Sequence, residues 1–146
     1  MIILDTNVIS ELTRPVPDSG VITWLDSLPA EETAITAITA AELRYGVRRM
    51  ADGRRKTELS EAVSALINAD FRDRVEPFDV LAADQYAEVV TARERAGQPI
   101  SISDAQIAAI CQALDATLAT RNTSDFTGTS VNLINPWKVK ISPTET

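Results

Sequence analysis

The 146-residue sequence contains no histidine and a single cysteine, Cys111. Without an imidazole there can be no Ser-His-Asp triad, no Cys-His nucleophile, no histidine general base and no histidine-bearing zinc site. One cysteine excludes an internal disulfide and an all-cysteine metal site. Cys111 falls on the apolar side of a predicted helix and is expected to be an inert core thiol. Aromatic residues are scarce at 5%, so base stacking is not expected to dominate any nucleic-acid recognition. Long apolar runs are also missing: no stretch approaches the roughly 20 residues that cross a bilayer. The opening MIILDTNVISEL has no basic segment and meets Asp5 early, unlike a secretory signal, so the expected location is cytoplasmic, away from membranes. Positive charge is in deficit, with 14 basic against 21 acidic residues and a net charge of −7. That balance is unpromising for a partner whose phosphates attract Lys and Arg.

The composition that remains, 45% hydrophobic and 24% charged, is that of an ordinary globular chain. Its length suits one domain that can bury an adequate core, with a loose polar tail expected from Ser142 to Thr146. Short apolar runs at Met1–Leu4, Thr33–Ile38, Val75–Phe78, Ala116–Thr120 and Val131–Ile134 predict buried strands. Helical spacing predicts helices over Thr6–Leu12, Asp18–Leu28, Thr39–Met50, Leu59–Phe71, Asp79 to about Gly97, and Ser103–Leu114. The third and fourth of these form a helical hairpin broken at Gly53. Strands that lack polar alternation and are separated by helices predict an α/β fold, with a mainly parallel sheet covered on both faces. In such a sheet ligands bind beyond the carboxyl ends of the strands.

Four acids fall near that edge. Asp5 follows the first strand directly, Glu42 lies in the first turn of the helix after the second strand, and Asp125 follows the strand ending at Thr120. Asp104, in the first turn of the helix opening at Ser103, joins them if that helix packs against the sense of a simple crossover or starts from a loop reaching over the edge. Each has a plainer explanation. Thr39-Ala40-Ala41-Glu42 and Ser103-Asp104-Ala105-Gln106 read as capping boxes, and Asp5 and Asp125 could cap turns. Yet Asp5 would be costly to bury without donors or a cation, and unit charges about 4 Å apart repel by roughly 4 kcal/mol at an effective dielectric near 20. Four converging carboxylates want a divalent ion, and oxygen ligands without histidine or thiolate select Mg²⁺ or Mn²⁺.

MIILDTNVISEL, ITAAELRYGVRR, SISDAQIAAICQAL and ATLATRNTSDF, in this order and covering essentially the whole chain, resemble the PIN-domain ribonucleases, specifically the VapC/FitB toxins of bacterial toxin-antitoxin pairs. The resemblance implies a single PIN domain over residues 1–141 with an α/β/α sandwich, a metal-dependent endoribonuclease activity, homodimerisation and silencing by a small antitoxin. Asp5, Glu42 and Asp104 match the first three acidic positions. For the fourth, relatives often carry an acid directly after the TR pair, where this chain has Asn122, and many also have the acid of the DF pair, here Asp125. Asp125 is assigned as the fourth acid with Asn122 as a helper. Thr6 and Asn7 would orient Asp5 or the attacking water, or simply bond to the start of their own helix. Asp5 and Asp104 would hold one metal ion directly, with Asp125 and Glu42 as outer ligands, ligands of a second metal or the base for the water, Asp125 counted with the metal-holding residues.

Six of the 14 basic residues, Arg44, Arg48, Arg49, Arg54, Arg55 and Lys56, crowd into the helical hairpin. Either they form a solvated face, or Arg44, Arg48 and Arg49 hold RNA phosphates beside Glu42, with Arg121 and Arg93 as further contacts. Negative net charge does not forbid this, because the field at a site is local. Trp24 and Trp137 are expected in core or dimer surface. A haloacid-dehalogenase-type phosphatase would need a second Asp where Asn7 stands. A catalytically degenerate PIN domain that only binds protein or RNA is the other alternative, and Asn122 is what favours it.

Overall fold

A computed structural model describes residues 1–139; the tail expected over 142–146 lies outside the described residues. Five strands, β1 (Ile2–Leu4), β2 (Thr33–Thr36), β3 (Val75–Glu76), β4 (Thr117–Ala119) and β5 (Asn132–Ile134), form one sheet in the order β3-β2-β1-β4-β5. Every neighbouring pair is parallel, with Ile3 opposite Ala34 on one side and Leu118 on the other.

The strands alternate between two buried faces, which is why they show no polar alternation in sequence. Ile3, Ala34 and Leu118 point to one side, where helices α5 (Val80–Arg95) and α6 (Ile102–Leu114) supply Val89, Ile107 and Ile110. Leu4, Ile35 and Ala119 point to the other. There α1 (Thr6–Leu12), α2 (Ser19–Asp26), α3 (Ala37–Arg48) and α4 (Arg54–Ala65) contribute Val8, Trp24, Leu43 and Val63. The result is the expected α/β/α sandwich, with α3 and α4 as the helical hairpin. Cys111 is fully buried, and burial pushes its thiol up to about 12, so it stays protonated.

Two helix starts differ from the capping boxes read in the sequence. Helix α3 opens at Ala37, and the side chain of Thr36 caps it by accepting from the Thr39 amide at 3.1 Å. Helix α6 opens at Ile102, with Ser101 accepting from the Asp104 amide at 3.3 Å. In both cases a hydroxyl two or three residues upstream takes the capping role. Glu42 and Asp104 are thereby released from capping.

The route of the chain between β3 and β4 resolves how Asp104 reaches the carboxyl edge. Helix α5 ends there: Arg93, in its last turn, donates to the carbonyls of Asp125 and Thr127 at 2.9 and 2.6 Å. Gly97, at φ +69°, turns the chain in the left-handed region that other residues disfavour. Helix α6 then starts from this loop and descends to β4, so the second of the two arrangements open from sequence is the one found. No helix among the described residues is long and apolar enough to cross a membrane.

Candidate metal centre and its cleft

Strand β1 is the point where the sheet order reverses, with β2 and β3 to one side and β4 and β5 to the other. Such switch points leave a crevice at the carboxyl ends of the strands. A cleft of about 450 Å³ lies here, lined by Asp5, Glu42, Asp104 and Asp125, together with Thr6, Asn7, Arg121 and Asn122. Every acid predicted for the site therefore faces one space, and each comes from a different element.

Asp5 forms the floor. It is only 5% exposed, and its amide donates to the Ala119 carbonyl at 2.9 Å, which extends the β1–β4 ladder by one residue. Its Oδ1 accepts from the Thr6 amide at 2.8 Å and its Oδ2 from the Thr120 hydroxyl at 2.7 Å. Burial nevertheless raises its pKa above the ordinary carboxylate range, reinforced by the charges of Asp104 and Asp125. Glu42 and Asp104 are raised as well, burial again being the main cause, with Asp5 and Asp104 acting on Glu42 and Asp125 on Asp104. Asp5, Glu42 and Asp104 thus resist ionisation first because they are buried, and further because other carboxylates stand near them.

Hydroxyls and amides hold these acids apart from one another. The Thr6 hydroxyl donates to Glu42 Oε1 at 3.1 Å and lies 3.0 Å from the Thr39 hydroxyl. Since Thr6 has a single proton, Thr39 must donate to it, and Thr36 in turn donates to Thr39 at 3.4 Å. Asn7 Nδ2 donates to the Thr120 hydroxyl at 3.2 Å, while its Oδ1 accepts from the Arg121 amide at 3.2 Å. Asn122 is tied through its backbone, its amide donating to the Thr120 hydroxyl at 3.2 Å. Asp125 sits in the 3₁₀ turn Thr123–Phe126, anchored by the fully buried Phe126 and by Arg93.

Thr120 was not singled out from sequence, yet it meets Asp5, Asn7 and Asn122 at once. The only signal was a hydroxyl at the carboxyl end of the predicted strand Ala116–Thr120. Trp137 was assigned to core or dimer surface; it packs on the α1–α4 core and also lines the cleft, with the Arg121 guanidinium 5.0 Å from its ring centre.

The basic stripe is not where the acids are. Arg44 and Arg48 flank a separate shallow groove between α3 and α4, with Ser60 and Val63, and Arg49 lies over the Tyr45 ring at 5.8 Å. Lys56 pairs with Asp52 and Arg54 with Glu58. Arg93 is 6% exposed and bonded to backbone carbonyls, which removes it as an RNA contact. Of the arginines expected to meet RNA, Arg121 alone lines the cleft.

The donor set fits a hard divalent cation in kind: carboxylate, hydroxyl and amide oxygens without nitrogen or sulfur. Among the described residues no three acidic side chains stand close enough to enclose an ion as they are. Asp5 is fixed, whereas Glu42 and Asp125 are exposed and Asp104 partly so. The arrangement is an open acidic receptor rather than a closed cage.

The sequence matches a family model described as PIN domain over residues 2–129. It is 42% identical to "Toxin FitB" of Neisseria gonorrhoeae over 137 residues, which is 94% of this chain and 99% of that protein. It is 39% identical to "VapC ribonuclease Y4jK" of Sinorhizobium fredii, again over 94% of this chain and 99% of the relative. A solved structure described as FitAB bound to an IR36 DNA fragment superposes with a TM-score of 0.90 at 40% identity, covering 97% of this chain and 99% of that one.

Proposed function

This chain belongs to the PIN domain family, and on that premise we propose that it is the toxin of a toxin-antitoxin pair, a Mg²⁺- or Mn²⁺-dependent endoribonuclease. The observation that carries this reading is the convergence of Asp5, Glu42, Asp104 and Asp125 on one cleft, in a chain without histidine, around an Asp5 buried at the sheet's switch point. Two relatives bear ribonuclease names, and solved relatives are toxin-antitoxin complexes. By the same analogy the partners are a small antitoxin and a second copy of the chain, residues 1–141 act as a single PIN domain, and the location is the cytoplasm.

In this reading Asp5 and Asp104 hold the metal, with Asp125 as a further ligand and Asn122 assisting through its amide oxygen. The chemistry a divalent ion would supply in this position is activation of a water and stabilisation of the oxygen leaving phosphorus. Asp5 is held by Thr6 and Thr120, while the more exposed Glu42, Asp104 and Asp125 would be free to turn toward a cation. Glu42, held by the Thr36–Thr39–Thr6 hydroxyl chain, takes the proton of the attacking water, and its raised pKa suits that role. Water attack on phosphorus leaves a 3′-hydroxyl and a 5′-phosphate.

Incubating purified protein with total RNA tests this. Cleavage should require Mg²⁺ or Mn²⁺, stop in EDTA, and be lost in Asp5→Asn. Ends bearing a 2′,3′-cyclic phosphate, or cleavage indifferent to the chelator and the mutation, would overturn the mechanism. Expression should arrest growth, with relief by a co-encoded small protein. The alternative, a degenerate PIN domain that only binds, is favoured by Asn122 standing where relatives carry an acid, and it is the outcome if metal binds but no RNA is cut.

A further inference from the structure

The cleft floor is acidic, so a polyanion needs cations on the walls to approach it, and the hairpin stripe does not supply them. Among the described residues two arginines line the cleft, Arg121 beside β4 and Arg14 just past the end of α1. Arg14 was not assigned a role from sequence. Its side chain is 62% exposed, yet one of its nitrogens is anchored: Nη1 donates to Glu11 Oε2 at 3.0 Å. Glu11 is unusual in turn, a glutamate 6% exposed whose other oxygen, Oε1, accepts from the Asp18 amide at 2.9 Å. Both oxygens of Glu11 are therefore engaged, and these contacts hold its carboxyl below the ordinary range, the Asp18 amide contributing most. A buried carboxylate pinned by a backbone amide gives a long, rotamer-rich side chain one direction. Arg14 keeps the remaining donors of its fork for something in the cleft.

We propose that Arg14 is a substrate-phosphate contact, aimed by Glu11 as its positioning residue and acting with Arg121, which lines the same cleft. The proposal rests on the ribonuclease reading above. Helix α1 is seven residues long and Arg14 lies two residues past its end, so at 1.5 Å per residue the backbone of Arg14 stands roughly 13 Å along the helix direction from that of Asp5. Arg14 thus meets a phosphate further along the strand than the one being cut. Arg121 has no carboxylate partner among the described salt bridges and is braced on Trp137 instead. The pair lets a chain of negative net charge take an RNA strand across its most acidic region, through two localised contacts.

Steady-state cleavage of a short single-stranded RNA, measured across a salt series, tests the assignment. Arg14→Ala should raise KM on the order of tenfold, the size of one charge-assisted hydrogen bond, with kcat little changed. The slope of log(kcat/KM) against log[salt] should become shallower by about 0.7, the value for one phosphate contact on a single strand. Arg14→Lys should restore the slope while leaving KM raised, because an ammonium cannot reproduce the fork. Glu11→Gln, which keeps the bond from Asp18, should raise KM less than Arg14→Ala. If wild type cleaves in a metal-dependent manner and Arg14→Ala and Arg14→Lys leave KM and slope unchanged, Arg14 is only a partner for Glu11 and the proposal fails alone. Unchanged RNA kinetics with loss of inhibition by the antitoxin would assign Arg14 to the protein partner instead. If wild type cuts no RNA at all, the ribonuclease reading fails and this proposal with it.

Discussion

At the residue scale the cleft is organised around the contact of Asp5 with Thr120. A carboxylate buried beside other acids is unfavourable unless donors surround it, and Thr120 supplies the shortest of those bonds at 2.7 Å. The same hydroxyl oxygen accepts from Asn7 and from the Asn122 amide, so Thr120 couples Asp5 to the loop that bears Asn122. Outer-shell partners of this kind hold ligand geometry, and their removal generally lowers metal affinity or activity by 10–100-fold. Thr120→Val should therefore reduce cleavage by about that factor, with a loss of stability of about 1–3 kcal/mol. Thr120→Ser, which keeps the hydroxyl, should recover most of the activity. If Val and Ser behave alike in both cleavage and Mg²⁺ affinity, the hydroxyl has no positioning role.

Among the elements, the pair α5–α6 decides whether the third and fourth acids arrive. Helix α5 climbs to the carboxyl edge, Gly97 turns the chain, and Ser101 caps α6 so that Asp104 stands in its first turn. Arg93 fastens this corner to the 3₁₀ turn of Asp125, with Nε donating to Gln98 and Nη1 to Asp125 and Thr127. A buried guanidinium with three carbonyl acceptors is a structural tether, and Arg93→Met strands those acceptors. We expect a destabilisation of about 3 kcal/mol or more by denaturant melting, accompanied by reduced cleavage as the Asp125 turn loosens. Wild-type melting in Arg93→Met would show that the turn holds without it.

At the scale of the whole molecule, the acids make folding depend on pH, and under the proposed function on divalent ions as well. With pKa values raised in the folded state, Asp5, Glu42 and Asp104 bind protons that the unfolded chain has already released. Their contribution to stability is complete below the ordinary carboxylate range and is lost as pH rises through the folded-state values. In EDTA the melting temperature should therefore fall as pH is raised from about 4, and Asp5→Asn should flatten that fall. Mg²⁺ should reverse it, adding about 2.7 kcal/mol at a hundredfold excess over its Kd. If Asp5→Asn and Asp104→Asn each leave the Mg²⁺-dependent gain intact, the four acids do not share an ion.

Local pattern was enough for much of this. An apolar run stopping at Asp5, followed by helical spacing, placed the β1–α1 junction, and the absence of histidine with an excess of acid directed attention to oxygen-ligated metal. The basic stripe shows where local pattern stops. Arg44 and Arg48 come two and six positions after Glu42, which turns them about 200° and 240° around the axis of α3. Arg49 returns to the side of Glu42 but about 10 Å further along. Adjacency in sequence therefore did not mean adjacency at the site. Thr120 was invisible for a different reason: its hydroxyl matters because β4 pairs with β1 in a register that sets Ala119 beside Leu4, and so Thr120 beside Asp5. The Arg14–Glu11 pair depends likewise on Asp18 folding back over the end of α1. What the sequence by itself determined was the layered α/β fold and a set of four acids near the carboxyl edge of its sheet, because composition and periodicity are properties of neighbours along the chain. Which side chains hold those acids, and which cations face them, was decided by tertiary structure, because strand register and helix rotation bring together groups more than a hundred residues apart, as with Asp5 and Thr120.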